Sequence, residues 1–197
     1  MSATANPYGM IPVLNYGAQY NTQGFESVAI LDGYTTAIYF GDVVKLGSDN
    51  YLQKDTGTST LTPYGVFVGV QYIDPSLGYL YESNFWPAST TTGYTTYPKL
   101  PLGRVVTYPF GTFQIQANGA IGIADIGKNA AIVQTAGSSV FGRSRNALNA
   151  STLDTTDTLP LRVVGIVESP TNAPGDAYTD VLVTFNNTQQ ILTKTGV

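Results

Sequence analysis

Asp74 and Glu82 lie eight residues apart, with Trp86 four residues further on. Two carboxyl groups about 5 to 9.5 Å apart beside an aromatic platform are what glycoside hydrolysis requires. Neither acid sits in a recognisable hydrolase signature, and thirteen acids in a β-rich chain bring some pair close by accident. Asp154 and Asp157 in "LDTTDT" could offer oxygen to a hard cation, but the D-x-D-x-D-G order of a calcium loop is missing, and turn capping by aspartate accounts for both. "ANGAIGIADIG" carries three glycines without the G-K-S/T ending of a phosphate loop. The chain has no histidine and no cysteine, which removes the usual general base, the commonest transition-metal ligand and any thiolate site. A serine-lysine dyad would need Lys45, Lys54, Lys99, Lys128 or Lys194 in a pocket, and no motif marks one. The expectation is a protein without catalytic residues, cofactor or metal.

The elements that would position such groups follow from composition. At 197 residues the chain is long enough for one well-buried domain. Charged residues are 11% of it, against about 25% in an ordinary soluble domain, so its polar surface must be built from hydroxyls and amides. Threonine is the commonest residue, and with valine, tyrosine and glycine it favours strands and turns. A net charge of −4 with nine scattered basic residues argues against nucleic acid. No run approaches the roughly 20 apolar residues of a membrane helix, and the N-terminal "MSATANPYGMIPVLNYG" lacks the pattern of a secretory leader. The reading is a cytoplasmically made, soluble, unprocessed chain.

Nine short apolar segments recur between turn residues: "SVAILDG", "TTAIYFGDVVKLG", "YGVFVGVQYI", "GYLYESNFW", "RVVTYPF", "TFQIQANG", "AAIVQTAG", "LRVVGIVES" and "TDVLVTFNN". They predict an all-β domain over residues 28–190, an antiparallel barrel-like sandwich or jelly roll, followed by a short tail at 191–197. In "TFQIQANG" Phe113 and Ile115 share one face and Gln114 and Gln116 the other, so that strand is expected to be half buried. In "VLVTF" Val181, Val183 and Phe185 share a face. "VFVGV" and "RVVGIV" are apolar on both faces around a central glycine, which suits central strands approached closely by another backbone. "SRNALNAS" could form one helical turn, and the threonine-rich "STTTGYTTYPKLPLG" and "NASTLDTTDTLP" read as long loops.

Residues 1–27 mix Pro7, Gly9, Pro12 and Gly17 with Tyr8, Tyr16 and Tyr20. This reads as an extended arm that begins no strand before "SVAILDG". Large aromatics beside few charges also characterise the core of a protein interface. The arm is expected to dock either on its own domain or on a neighbouring subunit; the candidate interface residues, on the second reading, are Tyr8, Met10, Ile11, Pro12 and Tyr16 of the arm, with Tyr79, Tyr81, Phe85 and Trp86 of the aromatic stretch Gly65 to Ser89.

The order "NPYGMIPV", "GYTTAIYFGDVVKL", "GVFVGVQYIDP", "FWPAS", "FQIQANG", "GKNAAIVQTAGSS", "LPLRVVGIVES" and "DAYTDVLVTFN" resembles small virion structural proteins of tailed bacteriophages. Within these it is most similar to capsid decoration, or cement, proteins. The resemblance implies a subunit on the outer surface of an expanded head that holds neighbouring capsomers together. Its partners would be the major capsid protein and further copies of itself, a trimer ahead of a dimer. Major capsid proteins are longer and carry a long spine helix, and this chain has neither feature. A carbohydrate-binding β-sandwich, displayed on a virion, is the alternative that the aromatics allow.

Overall fold

The computed structural model describes residues 4–13, 25–96, 99–107 and 111–189. Its regular structure is almost wholly strand, arranged in two main antiparallel sheets. The first sheet runs β1 (Ile11–Val13), β10 (Thr112–Gln116), β15 (Asp180–Phe185), β14 (Leu161–Ile166) and β11 (Asn129–Ala130). The second runs β2 (Glu26–Ala29), β9 (Leu102–Val106), β6 (Gly65–Ile73), β4 (Val43–Leu46) and β5 (Leu52–Lys54). β7 (Leu80–Ser83) joins it along the C-terminal half of β6. Two short ribbons complete the set: β3 (Ile38–Tyr39) with β8 (Phe85–Trp86), and β12 (Ile132–Val133) with β13 (Ala147–Leu148).

The alternation read from "TFQIQ" and "DVLVTF" becomes the core of the first sheet. Phe113 lies opposite Val183 and Ile115 opposite Val181, and all four are fully buried. They pack with Met10, Val43, Val66, Leu161 and Val163. Because successive strand residues point to opposite faces, Val66 enters this cluster while its neighbour Phe67 enters a second one. That second cluster holds Ile30, Val44, Leu52, Val70, Trp86 and Val105. The second sheet therefore has apolar side chains packed on both faces, which explains why "VFVGV" shows no polar side. Gly69 marks a register shift against β9, and a Cβ there would sit 3.1 Å from the carbonyl oxygen of Ser83.

Several expectations are corrected. Among the described residues no sheet closes into a barrel: β1 and β11 end the first sheet without pairing to each other, and apolar burial comes from stacked faces instead. "RVVGIV" is buried on one face only, since Arg162 is exposed and Val164 is 43% exposed; its glycine marks a bulge between Val163 and Gly165. The helical turn expected in "SRNALNAS" is present at its end as a 3-10 turn, Ala150–Thr152, capped by Asn149 accepting from the Ser151 N–H, but β13 precedes it. A further 3-10 turn spans Ile123–Asp125.

Of the two readings of the arm, docking on its own domain is the one seen for residues 4–13. A strand does begin within it, β1, paired with β10 so that Ile11 faces Gln114 and Pro12 faces Phe113. Met10 is fully buried in its own chain's core rather than offered to a neighbour. The approach depends on glycine. Gly9 has φ +77°, and a Cβ there would lie 2.6 Å from the Gly41 carbonyl oxygen, so only glycine lets the Met10 N–H reach that oxygen at 2.9 Å. Tyr16 and the expected tail at 191–197 lie outside the described residues.

Candidate interaction surface

The first sheet covers one end of a face of the second sheet, where Val66 and Val106 pack against it. Further along the same face the side chains turn polar. Arg104 of β9 reaches across β6 to β7, donating to Gln71 Oε1 at 3.2 Å and to both carboxylate oxygens of Glu82, one of them at 3.3 Å. Its guanidinium also lies 5.3 Å from the ring centre of Phe25. Arg104 and Glu82 are 29% and 55% exposed, so the pair neutralises the face more than it stabilises the fold.

The carboxylate pair raised from the sequence is not brought together. Glu82 stands opposite Gln71, and Asp74 lies three residues along from Gln71. Three residues is an odd step, so the two acids point to opposite faces, with about 10 Å of strand between their positions. Asp74 instead accepts from the Ser76 and Leu77 N–H groups at 2.8 and 2.9 Å, forming the turn between β6 and β7. Asp154 similarly accepts from the Thr155 N–H at 2.6 Å.

A narrow turn rises beside the polar face. Ser138 and Arg143 exchange backbone hydrogen bonds at 2.8 and 3.2 Å, and Gly142 between them has φ +64°. The base is clamped by Phe40, whose N–H donates to the Gly142 carbonyl at 3.1 Å and whose carbonyl accepts from the Ser144 N–H at 2.9 Å. The Ser144 hydroxyl donates to Asp42 Oδ1 at 2.7 Å, and Asn146 Nδ2 donates to the same oxygen at 3.2 Å. Asp42 is fully buried and takes Lys54 Nζ and the Tyr39 N–H on its other oxygen, both at 2.9 Å. On this footing the tip projects two apolar side chains into solvent: Val140 is 85% exposed and Phe141 70%. Between the tip and the sheet lies a cleft of about 350 Å³, lined also by Glu82, Asn84, Phe85 and Arg104.

The aromatic residues singled out from the sequence divide here. Tyr79 and Tyr81 are 58% and 42% exposed, alongside Leu77 and Leu80, each 55% exposed. Phe85 is half buried and stacked on Tyr39 at 5.6 Å. Trp86 is fully buried and meets Tyr72 edge to face, so it belongs to the core. Burial, then Tyr81 and Asp74, push the Tyr72 phenol above its ordinary value. Val140 and Phe141 escaped the sequence reading. The available signal was an apolar pair set between Ser138-Ser139 and Gly142-Arg143.

Comparison with protein-family models, with curated proteins and with solved structures gives no match.

Proposed function

We propose that this chain is a structural subunit that attaches to the outer surface of an assembled shell, as a capsid decoration protein does, and stabilises contacts between the shell's subunits. The observation that carries this reading is the tip at Val140 and Phe141, two apolar side chains held out by a hydrogen-bonded turn on a buried footing. Isolated exposed apolar residues are ordinary, but a pre-ordered pair projecting from a clamped turn suits an anchor that fills a partner's pocket at small entropic cost. The low charge of the chain suits a subunit that spends its life attached. The resemblance of its segments to decoration proteins supports a phage head as the shell. Many equivalent attachments on one lattice would add avidity to a modest single contact.

Electron microscopy of whole particles tests the reading directly, with density for this chain expected on the head. Co-sedimentation with undecorated heads tests the anchor. Val140→Asp and Phe141→Asp should each weaken retention about tenfold or more, with unchanged melting of the free protein. Wild-type retention by both variants removes the tip from the contact.

The cleft supports a second reading as a saccharide site, because Arg104, Glu82 and Asn84 stand beside the Phe141 ring. A glycan array with the isolated protein tests it, and specific binding abolished by Glu82→Gln would favour it.

A further inference from the structure

β7 is an edge strand. Within the described residues it pairs with β6 alone, through Val70 with Ser83, Gln71 with Glu82, Tyr72 with Tyr81 and Ile73 with Leu80. Antiparallel ladders alternate between pairs that exchange hydrogen bonds and pairs that do not. The Asp74 N–H donates to the Tyr79 carbonyl at 3.1 Å, which sets the phase. Tyr79, Tyr81 and Ser83 thus direct their backbone groups to β6, whereas Leu80 and Glu82 direct theirs outward. Natural edges are blunted by lysine, proline or bulges. β7 carries no lysine, proline or bulge; its protection is its shortness, four residues, and its single charge, Glu82, is paired with Arg104.

We propose that β7 pairs edge to edge with β7 of a second copy, antiparallel about a twofold axis at Tyr81, joining the two sheets into one. The phase allows axes at Leu80, Tyr81 or Glu82, and an axis at Leu80 would set Tyr81 to Ser83 against residues 79 to 77, before β7 begins. With the axis at Tyr81, Leu80 pairs with the partner's Glu82, Glu82 with the partner's Leu80, and Tyr81 faces its own copy in a non-hydrogen-bonded pair. This register sets each Glu82 against an apolar residue, whereas an axis at Glu82 would oppose two like charges. A twofold edge contact is self-complementary and closes on itself, so it consumes the edge instead of propagating a fibre.

The contact is small. At their exposed fractions Leu77, Tyr79, Leu80 and Tyr81 offer on the order of 400 Å² of side chain per copy, below the roughly 800 Å² per partner of a standard interface. The dimer is therefore weak and reversible, populated only at high protein concentration. It rests on the backbone edge of β7, whereas attachment to a shell was argued from the side chains of Val140 and Phe141; Tyr81, Glu82 and Ser83 line the same cleft as that pair, so separate assays of dimerisation and of head binding distinguish the two.

Sedimentation velocity of the full chain up to about 100 μM should show a monomer passing to a dimer. Leu80→Pro removes only an outward N–H that β6 does not use, so it should keep the wild-type melting temperature and stay monomeric. Since the chain has no cysteine, Tyr81→Cys places a single thiol on the axis, where facing Cβ atoms come within disulfide reach. It should cross-link rapidly on mild oxidation, and Tyr79→Cys, more exposed but opposite the partner's Ser83, should not. A monomer at every concentration, a trimer, a Leu80→Pro dimer as tight as wild type, or equal cross-linking of the two cysteine variants would overturn the proposal. Loss of head binding by the Val140→Asp variant leaves it standing.

Discussion

The Tyr8 hydroxyl donates to Asp180 Oδ1 at 2.9 Å, joining residues 172 positions apart, and accepts from Gln114 Nε2 at 2.8 Å. One phenol thereby ties the segment before β1 to the polar faces of β10 and β15. Burial first, and the Asp180 carboxylate second, push its ionisation well above the ordinary phenol value.

Tyr8→Phe should cost about 1 to 2 kcal/mol at neutral pH, because Asp180 and Gln114 each lose a partner at a half-buried site. The folded-state value is raised, so the contribution is complete below the unfolded value of about 10 and is lost as pH rises toward the higher folded value. Urea midpoints measured between pH 8 and 11 should fall at the alkaline end. They should fall less steeply for Tyr8→Phe, and parallel curves would refute this account.

Deleting residues 1–13 should destabilise the free domain severely. The cut removes β1 and Met10, which is fully buried in the core cluster that holds Val43, Phe113 and Val183. Met10→Ala alone should cost roughly 2 to 5 kcal/mol. A thermal melt of each variant checks this, and a truncated domain that melts as wild type does would show the segment to be dispensable.

Both faces of β10 should prove costly to alter. Phe113→Ala empties a core site and should cost roughly 3 to 5 kcal/mol. Gln116 is 6% exposed; it accepts from the Asn6 N–H at 2.7 Å and donates to the Thr4 carbonyl at 3.2 Å. Gln116→Ala leaves that N–H without its partner and should cost about 1 to 3 kcal/mol, against about 0.5 kcal/mol or less for an ordinary surface change. Urea titrations of the two variants separate these outcomes.

The buried pair beneath the projecting turn should show a strong asymmetry. Asp42→Ala strands Lys54, the Tyr39 N–H, Ser144 and Asn146 at once and should cost roughly 3 to 5 kcal/mol. Lys54→Met leaves Asp42 with three donors and should cost less. Chemical denaturation gives the order, and equal losses would mean that the neutral donors contribute nothing.

The period of two along β10 and β15 is a property of the backbone itself, so the sequence alone determined that Phe113, Ile115, Val181, Val183 and Phe185 would share a buried face. It likewise determined the all-β class, and it marked "VFVGV" as covered on both sides, because a segment without a polar side must bury both. It did not determine what meets the opposite face of a mixed strand. Gln114 and Gln116 read as solvated, yet residues 4–8 return from the far end of the chain to hydrogen-bond them. The aromatic run from Phe67 to Trp86 was visible, but its division into buried Trp86 and exposed Tyr79 and Tyr81 was not, since strand periodicity does not say where a sheet stops being covered. Val140 and Phe141 became a projecting surface only through Phe40, a hundred residues earlier, whose backbone holds the base of their turn. Local geometry fixes which side chains share a face, whereas exposure of that face depends on distant chain that hydrophobic burial and backbone hydrogen bonding draw together.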